Sequence, residues 1–366
     1  MDHRYSQAPL PPGHPAFIAR TPGVREVVRL FPEPSAAGHG SLGVEGGLTF
    51  VAGPGMGRTS LLLHLQAALE SERRIPCARV AIAQGAGATG FQTFLGTLAE
   101  TARTELLASP SLAAPEHAAL RAALAQPPPG DVAGEPGALT PRGLQDWIDG
   151  VGRAAAQGRG CCLLFDDLDR AAGAEWSGAL VAGLRFTFQA ASGVTPIFAL
   201  WNLYFEESMP GSNYFRNVTR PIFVAPLEGS PDASERTALV DLDLPSLTAE
   251  ARERIEVLAG GHPALLQRLL GELAGALRPE EVDGLTAAAL DAKLLAGEPA
   301  RREAVRALLG RVPQLLPALR RLERLPQPLS YAALPPALAT AGLLRRDARG
   351  MAALPLWIQE GLAERS

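Results

Sequence analysis

Residues 52–60 read Ala-Gly-Pro-Gly-Met-Gly-Arg-Thr-Ser, and their types and spacing suit one chemistry, the holding of a phosphate. Gly53, Gly55 and Gly57, with Pro54 and Met56 between them, allow a tight turn that aims backbone N–H groups inward. A helical pattern beginning at Thr59 adds the positive end of a helix dipole, and Ser60 lies in its first turn. Thr59 stands where a hydroxyl ligates Mg2+ beside a bound phosphate. The spacing is that of a relaxed phosphate-loop (Walker A) motif, with Ala52 in place of the first glycine. The motif has lysine where this chain has Arg58. Arginine keeps the charge but is larger, planar and forked, which weakens the case for hydrolysis more than the case for binding.

A second set of groups follows at Cys161-Cys-Leu-Leu-Phe-Asp166-Asp167, an apolar run that ends in two acids. As a strand, it places Asp166 at the carboxyl edge of a sheet, beside the phosphate loop. There Asp166 holds Mg2+ with Thr59 or through water, and Asp167 polarises the attacking water. Asp169 and Arg170 come next and read as solvated charges.

The elements that must position these groups are legible as alternating patterns. Apolar runs at 48–52, 79–83, 161–165, 195–200 and 221–224 read as strands. They are nearly continuous, as strands of a parallel sheet covered on both faces should be. Helical patterns at 24–30, 59–70, 91–107, 144–156 and 176–190 lie between them. The alternation predicts a three-layer α/β domain over residues 17–227, after a Pro-rich tail at 1–16. Residues 108–139, with PPPG and GEPG, read as a flexible insertion around one short helix. From Thr248 onward the patterns are helical, until a small β ribbon near 343–354.

Composition excludes several classes. The chain has 366 residues with a net charge of -4, so it is no generally basic nucleic-acid coat. Of 34 basic residues only Lys293 is lysine, which leaves 33 arginines. Cys77, Cys161 and Cys162 are odd in number, with two adjacent, and suit neither a disulfide framework nor metal spacing. They read as buried apolar fillers. The start of the chain has no apolar signal segment, and no apolar run is long enough to span a membrane. A cytoplasmic setting is the resulting expectation.

Five pieces in order resemble the P-loop ATPases of the STAND branch, close to the AAA and origin-recognition ATPases. Phe17-Ile18-Ala19-Arg20 before a helix resembles the box that precedes the phosphate loop and helps hold adenine, with departures at Ala19 and Thr21. The phosphate loop and the acidic pair follow. Asn202 sits after the fourth strand, where a sensor residue reads the γ-phosphate. Gly260-Gly261-His262-Pro263 resembles the GxP motif of the helical lid, whose proline packs on the base. The resemblance covers residues 15–275. It implies a sheet in 5-1-4-3-2 order, ATP or ADP with Mg2+ as ligands, a helical lid over 228–289, and a nucleotide-driven conformational change coupled to self-assembly or to a separately encoded protein partner. It implies catalytic roles for Asp167, Arg58 and Asn202, nucleotide contacts from Phe17, Ile18, residues 53–60 and Pro263, and metal contacts from Thr59 and Asp166. For His262 the residue type alone suggests a helix cap or a surface position.

Residues 290–366 carry twelve basic and seven acidic side chains, a balance of +5 that leaves -9 for the remainder. Their helix, strand, turn, strand and helix pattern resembles the winged helix that ends many members of the family. Arg345, Arg346 and Arg349 form its basic turn, which suits DNA phosphate or, since no residue set here specifies base contacts, the solvated face of a lid extension or protein-docking surface, the favoured reading. Three functions follow as expectations. The leading one is an ATP-binding switch with slow or partner-dependent hydrolysis. The others are a catalytically inactive nucleotide-bound scaffold and a DNA-associated ATPase using those three arginines.

Overall fold

A computed structural model describes residues 9–12, 14, 17, 21–31, 46–82, 89–129, 131–132, 135–171, 174–190, 193–201, 219–224, 227, 240, 244, 246–277, 279–294, 298–324, 329–330, 334, 338, 341–346 and 351–363. The chain forms two compact units. One holds residues 22–51 and 58–222, and the other holds 1–21, 52–57 and 223–366.

The first unit is built on five strands: β1 (Gly47–Val51), β2 (Cys77–Ala81), β3 (Cys161–Asp166), β4 (Val194–Leu200) and β5 (Thr219–Phe223). They form a parallel sheet in the order β2-β3-β4-β1-β5, which read from the other edge is the expected 5-1-4-3-2. β1, β3 and β4 are buried along their whole lengths, so both faces are covered. Alternation then sorts the side chains. Cys161, Leu163 and Phe165 of β3 join Ala78 and Val80 of β2 in one core cluster. That cluster also takes residues of α3 (Phe91–Ala108), α5 (Pro141–Ala155) and α6 (Ser177–Ala190). Cys162, Leu164 and Asp166 therefore face the other way, together with Cys77, Arg79 and Ala81, which pair with them or lie beside them in the β2–β3 register. The helix α2 (Arg58–Ala68) packs on β2, β3 and β4. At the sheet's far side, Thr49 and Thr219 share a buried hydroxyl–hydroxyl bond of 2.6 Å that ties β1 to β5.

All three cysteines are buried free thiols, as expected of apolar fillers. Burial pushes the thiols of Cys77 and Cys161 up, so neither is a ready nucleophile. The second strand begins two residues earlier than its apolar pattern suggests, because Cys77 already pairs with Cys162 immediately after Pro76.

Residues 108–139 carry more structure than their composition suggests. They contain α4 (Ala118–Leu124), and Leu112, Leu120 and Leu124 are part of the same core as α3 and α5. His117, also buried, donates its Nε2–H to the carbonyl of Arg74 at 2.9 Å. Arg74 closes the π-helical turn Leu69–Arg73 that ends α2, and it has a left-handed φ of 56°. A non-glycine residue there costs about 1–2 kcal/mol, which the His117 bond helps to offset. Burial holds the His117 imidazole below its ordinary pKa, against the opposing pull of the Arg74 carbonyl and Glu116. A depressed histidine contributes stability that is present above its unfolded value of about 6.5 and is lost as pH falls through the lower folded value. Denaturant melts of the wild type should therefore weaken over that acidic window more than melts of His117→Asn. Parallel pH profiles of the two proteins would refute the role of His117.

The second unit is mainly helical. It contains α7 (Ala249–Ala259), α8 (Pro263–Ala276), α9 (Ala287–Leu294), α10 (Glu298–Gly310), α11 (Leu316–Glu323) and α12 (Leu356–Ala363). A three-stranded sheet accompanies them, made of β6 (Leu329–Ser330), β7 (Arg345–Arg346) and β8 (Met351–Ala353) in the order β6-β8-β7, with β8 antiparallel to both. Thr248 caps α7 by accepting the Ala251 N–H at 3.1 Å. Trp357 is buried under the Arg301 guanidinium, 5.1 Å from the ring centroid, a core position as its apolar surroundings suggest.

Candidate functional site

The expected site residues fall into two constellations, each within one unit. The first is the carboxyl end of β3, which faces the first turn of α2. Thr59 donates its hydroxyl to Asp166 Oδ1 at 3.2 Å, so the two expected metal ligands are brought together. Asp166 is buried, and burial raises its pKa, with the neighbouring Asp167 charge adding to the effect. Its other oxygen, Oδ2, accepts from Arg79 Nη1 at 3.0 Å. Arg79 reaches it because the β2 alternation puts this side chain on the Asp166 face of the sheet.

Arg58 is 6% exposed and turns toward the acids of this edge. Its Nη2 lies 3.2 Å from Asp167 Oδ1, and its Nη1 lies 3.2 Å from Asp169 Oδ1. Asp167 has a left-handed φ of 56° just past the strand, a conformation that aspartate tolerates better than most residues. Its second oxygen is held by Arg170 Nη2 at 2.6 Å. Both oxygens of the acid expected to polarise water thus accept guanidinium N–H groups. Asp169 belongs to this network, and Arg170 joins it while remaining exposed at 40%, as a solvated charge does. Their place on the turn after β3 (Leu168–Ala171) returns both side chains to the strand end.

The second constellation is the phosphate loop with the residues that pack on it. Gly55 and Gly57 have φ of +76° and +80°, the left-handed positions that the turn needs and that glycine takes without cost. The Met56 N–H closes the turn on the Gly53 carbonyl at 3.4 Å. His262 is fully buried and donates Nε2–H to the Pro54 carbonyl at 3.1 Å. It occupies the N-cap position of α8, yet its side chain makes no cap bond and goes to the loop instead. The N-cap position agrees with the expectation, whereas the side chain is buried rather than at the surface and makes no cap bond. A Cβ on Gly55 would lie 2.7 Å from His262 Cε1, and one on Gly53 would lie 2.3 Å from the Ala341 carbonyl oxygen. The loop is gripped on both sides.

Other expected residues are less informative. Phe17 is buried, and Pro263 is the first residue of α8. Ser60 is buried in the first turn of α2. Ile18, Asn202 and Arg349 lie outside the described residues, while Arg345 and Arg346 form the edge strand β7. The loop has the left-handed glycines that a phosphate turn requires, and in the other unit Thr59 and Asp166 stand within hydrogen-bond distance, as a pair of Mg2+ ligands would. No group of three or more metal-ligating side chains occurs among the described residues. No helix among them is long and apolar enough to cross a membrane.

No protein-family model and no curated protein matches the sequence. Solved structures do. A Walker-type ATPase of Pyrococcus abyssi superposes with a TM-score of 0.53 and 12% identity, covering 98% of this chain and 99% of that one. The chain has the P-loop NTPase fold. Weaker likenesses are the Orc1 protein of Aeropyrum pernix in complex with DNA, with TM-score 0.45, 13% identity and coverage of 99% and 96%, and a mutant RuvB of Thermotoga maritima, with TM-score 0.42, 12% identity and coverage of 92% and 90%. Their scores add nothing to the assignment. At such identities the P-loop NTPase likeness concerns the backbone arrangement, and the chemistry rests on the residues above.

Proposed function

We propose that this protein binds ATP and ADP at residues 53–60 and works as a STAND-type switch, with slow or partner-dependent hydrolysis. The observation that carries the reading is the grip of His262 on the Pro54 carbonyl, with Gly55 packed against the same ring. A phosphate that draws in the loop N–H groups must adjust the loop backbone, and His262 transmits that adjustment to α8. The nucleotide then acts as a ligand with different affinities for two arrangements of the GGHP segment. Mg2+, held by Thr59 and Asp166, would supply charge neutralisation at the phosphates. The helical lid, the winged helix over 290–366, the cytoplasmic setting and assembly with itself or with a protein partner complete the proposal.

The network around Asp167 favours a second reading, a nucleotide-bound scaffold without turnover. An acid whose two oxygens both face guanidinium groups is poorly placed to orient water. One experiment separates the readings. Titration of the purified full chain with ATP and ADP should show binding and a rise in Tm. Phosphate release that vanishes in Asp167→Asn marks the switch, and binding without any release marks the scaffold. Absence of binding and of any thermal shift with either nucleotide would end both.

A further inference from the structure

Resting on the nucleotide reading, the arginines around the acidic edge point to a specific departure from metal-dependent binding. Three aspartates stand there, and three arginines meet them. Arg79 pairs with Asp166 at 3.0 Å, Arg58 with Asp167 and Asp169 at 3.2 Å each, and Arg170 with Asp167 at 2.6 Å. The formal charge of these six groups is zero, three positive against three negative. A divalent cation bound at such an edge supplies positive charge to the carboxylates and the phosphates. Here that charge is already in place and covalently attached.

The geometry also sets the metal in competition with a side chain. Asp166 offers Oδ1 to the Thr59 hydroxyl and Oδ2 to Arg79. A cation drawn to this carboxylate must share it with a guanidinium whose like charge repels it. A phosphate chain is repelled by the three carboxylates but attracted by the arginines that hold them. Guanidinium groups bind carboxylate and phosphate with the same forked geometry, so Arg58 can trade its Asp169 contact for a phosphate oxygen and keep Asp167.

We propose that this site binds its nucleoside di- or triphosphate without a divalent cation, with Arg58 and Arg79 providing the counter-charge. Mg2+ can still enter at Thr59 and Asp166, but affinity does not depend on it. Arg79 is the residue that sets this independence, because of the two groups that hold the Asp166 carboxylate it is the one that carries a charge.

The test is a fluorescence titration of the full chain with N-methylanthraniloyl-ADP and -ATP, in excess Mg2+ and then in excess EDTA. The wild-type Kd should change by less than about threefold between the two conditions. Arg79→Gln frees Asp166 and should bind at least about tenfold more weakly in EDTA than in Mg2+. Arg79→Lys keeps the charge and should resemble the wild type. A tenfold loss in EDTA for the wild type overturns this proposal and leaves the nucleotide reading standing. An Arg79→Gln protein as indifferent to metal as the wild type overturns the role given to Arg79. Absence of binding in both conditions overturns the nucleotide reading, and this proposal with it. Circular dichroism melts of each variant confirm that a loss reflects the site. The wild-type comparison decides the main point even if a variant fails to fold.

Discussion

Arg58→Lys should raise the rate of phosphate release about tenfold, equivalent to about 1.4 kcal/mol of activation free energy. The substitution restores the residue that the phosphate-loop motif has at this position, but the reason for the gain lies on the acidic edge. Arg58 spans Asp167 and Asp169 because its planar fork offers two nitrogens 3.2 Å from two different carboxylates. A lysine has one compact ammonium and cannot bridge both. Asp167 is then left with Arg170 alone, and one of its oxygens becomes available to a water molecule. The cost appears in stability. Arg58 is buried at 6% exposure while Asp167 and Asp169 are exposed at 19% and 17%, so the lost pairs face partial screening. A loss of about 1 kcal/mol is expected in denaturant melts. Asp167→Asn placed on top of Arg58→Lys should erase the gain. A slower phosphate release by the Arg58→Lys protein would mean that the arginine itself serves the proposed reaction, and the restraining role given to it here would be wrong.

The second large effect is expected at His262. This side chain is fully buried and holds the Pro54 carbonyl at 3.1 Å. His262→Ala removes an imidazole from a packed interior and leaves that carbonyl without its donor. Loss of the side-chain volume and of the bond together should cost about 2–4 kcal/mol. His262→Gln keeps an N–H donor on a chain of similar reach and should recover part of the loss. Differential scanning fluorimetry with and without ADP gives a further reading. The rise in Tm produced by nucleotide should shrink in His262→Ala, because the loop no longer reports to α8. If His262→Ala melts like the wild type, the histidine does not secure the loop.

Much of the architecture was legible because the strands are nearly pure apolar runs and each is followed by a helical period. The five strands and their order agree with expectation to within two residues at most ends. The Walker-like residues were legible because glycine spacing and the acids after an apolar run are local properties. The arginine network was not. Arg79 sits inside a strand pattern, where a lone arginine reads as an edge or solvent position, and only the register with β3 places it on the Asp166 face. Asp169 was read as solvated because nothing local shows that a short 3-10 turn folds it back toward Arg58. His262 was placed at a helix cap, which holds, but its burial against the loop was not legible for a similar reason. Its partner, Pro54, lies 208 positions away, and no periodicity reports a contact at that range.

The phosphate loop has one more consequence. Residues 52–57 are encoded between β1 and α2, yet they fold with residues beyond 223. Gly53 lies against Ala341, Met56 fills the space that a side chain on Gly342 would need, and Pro54 takes its hydrogen bond from His262. The boundary along the gene and the boundary in space therefore disagree. Recombination that exchanged the C-terminal half as a block would carry away the walls of the loop and leave its sequence behind. A change at 262 alters what the loop tolerates at 55, whereas the Ala341 backbone bars a side chain at 53 whatever residue stands at 341.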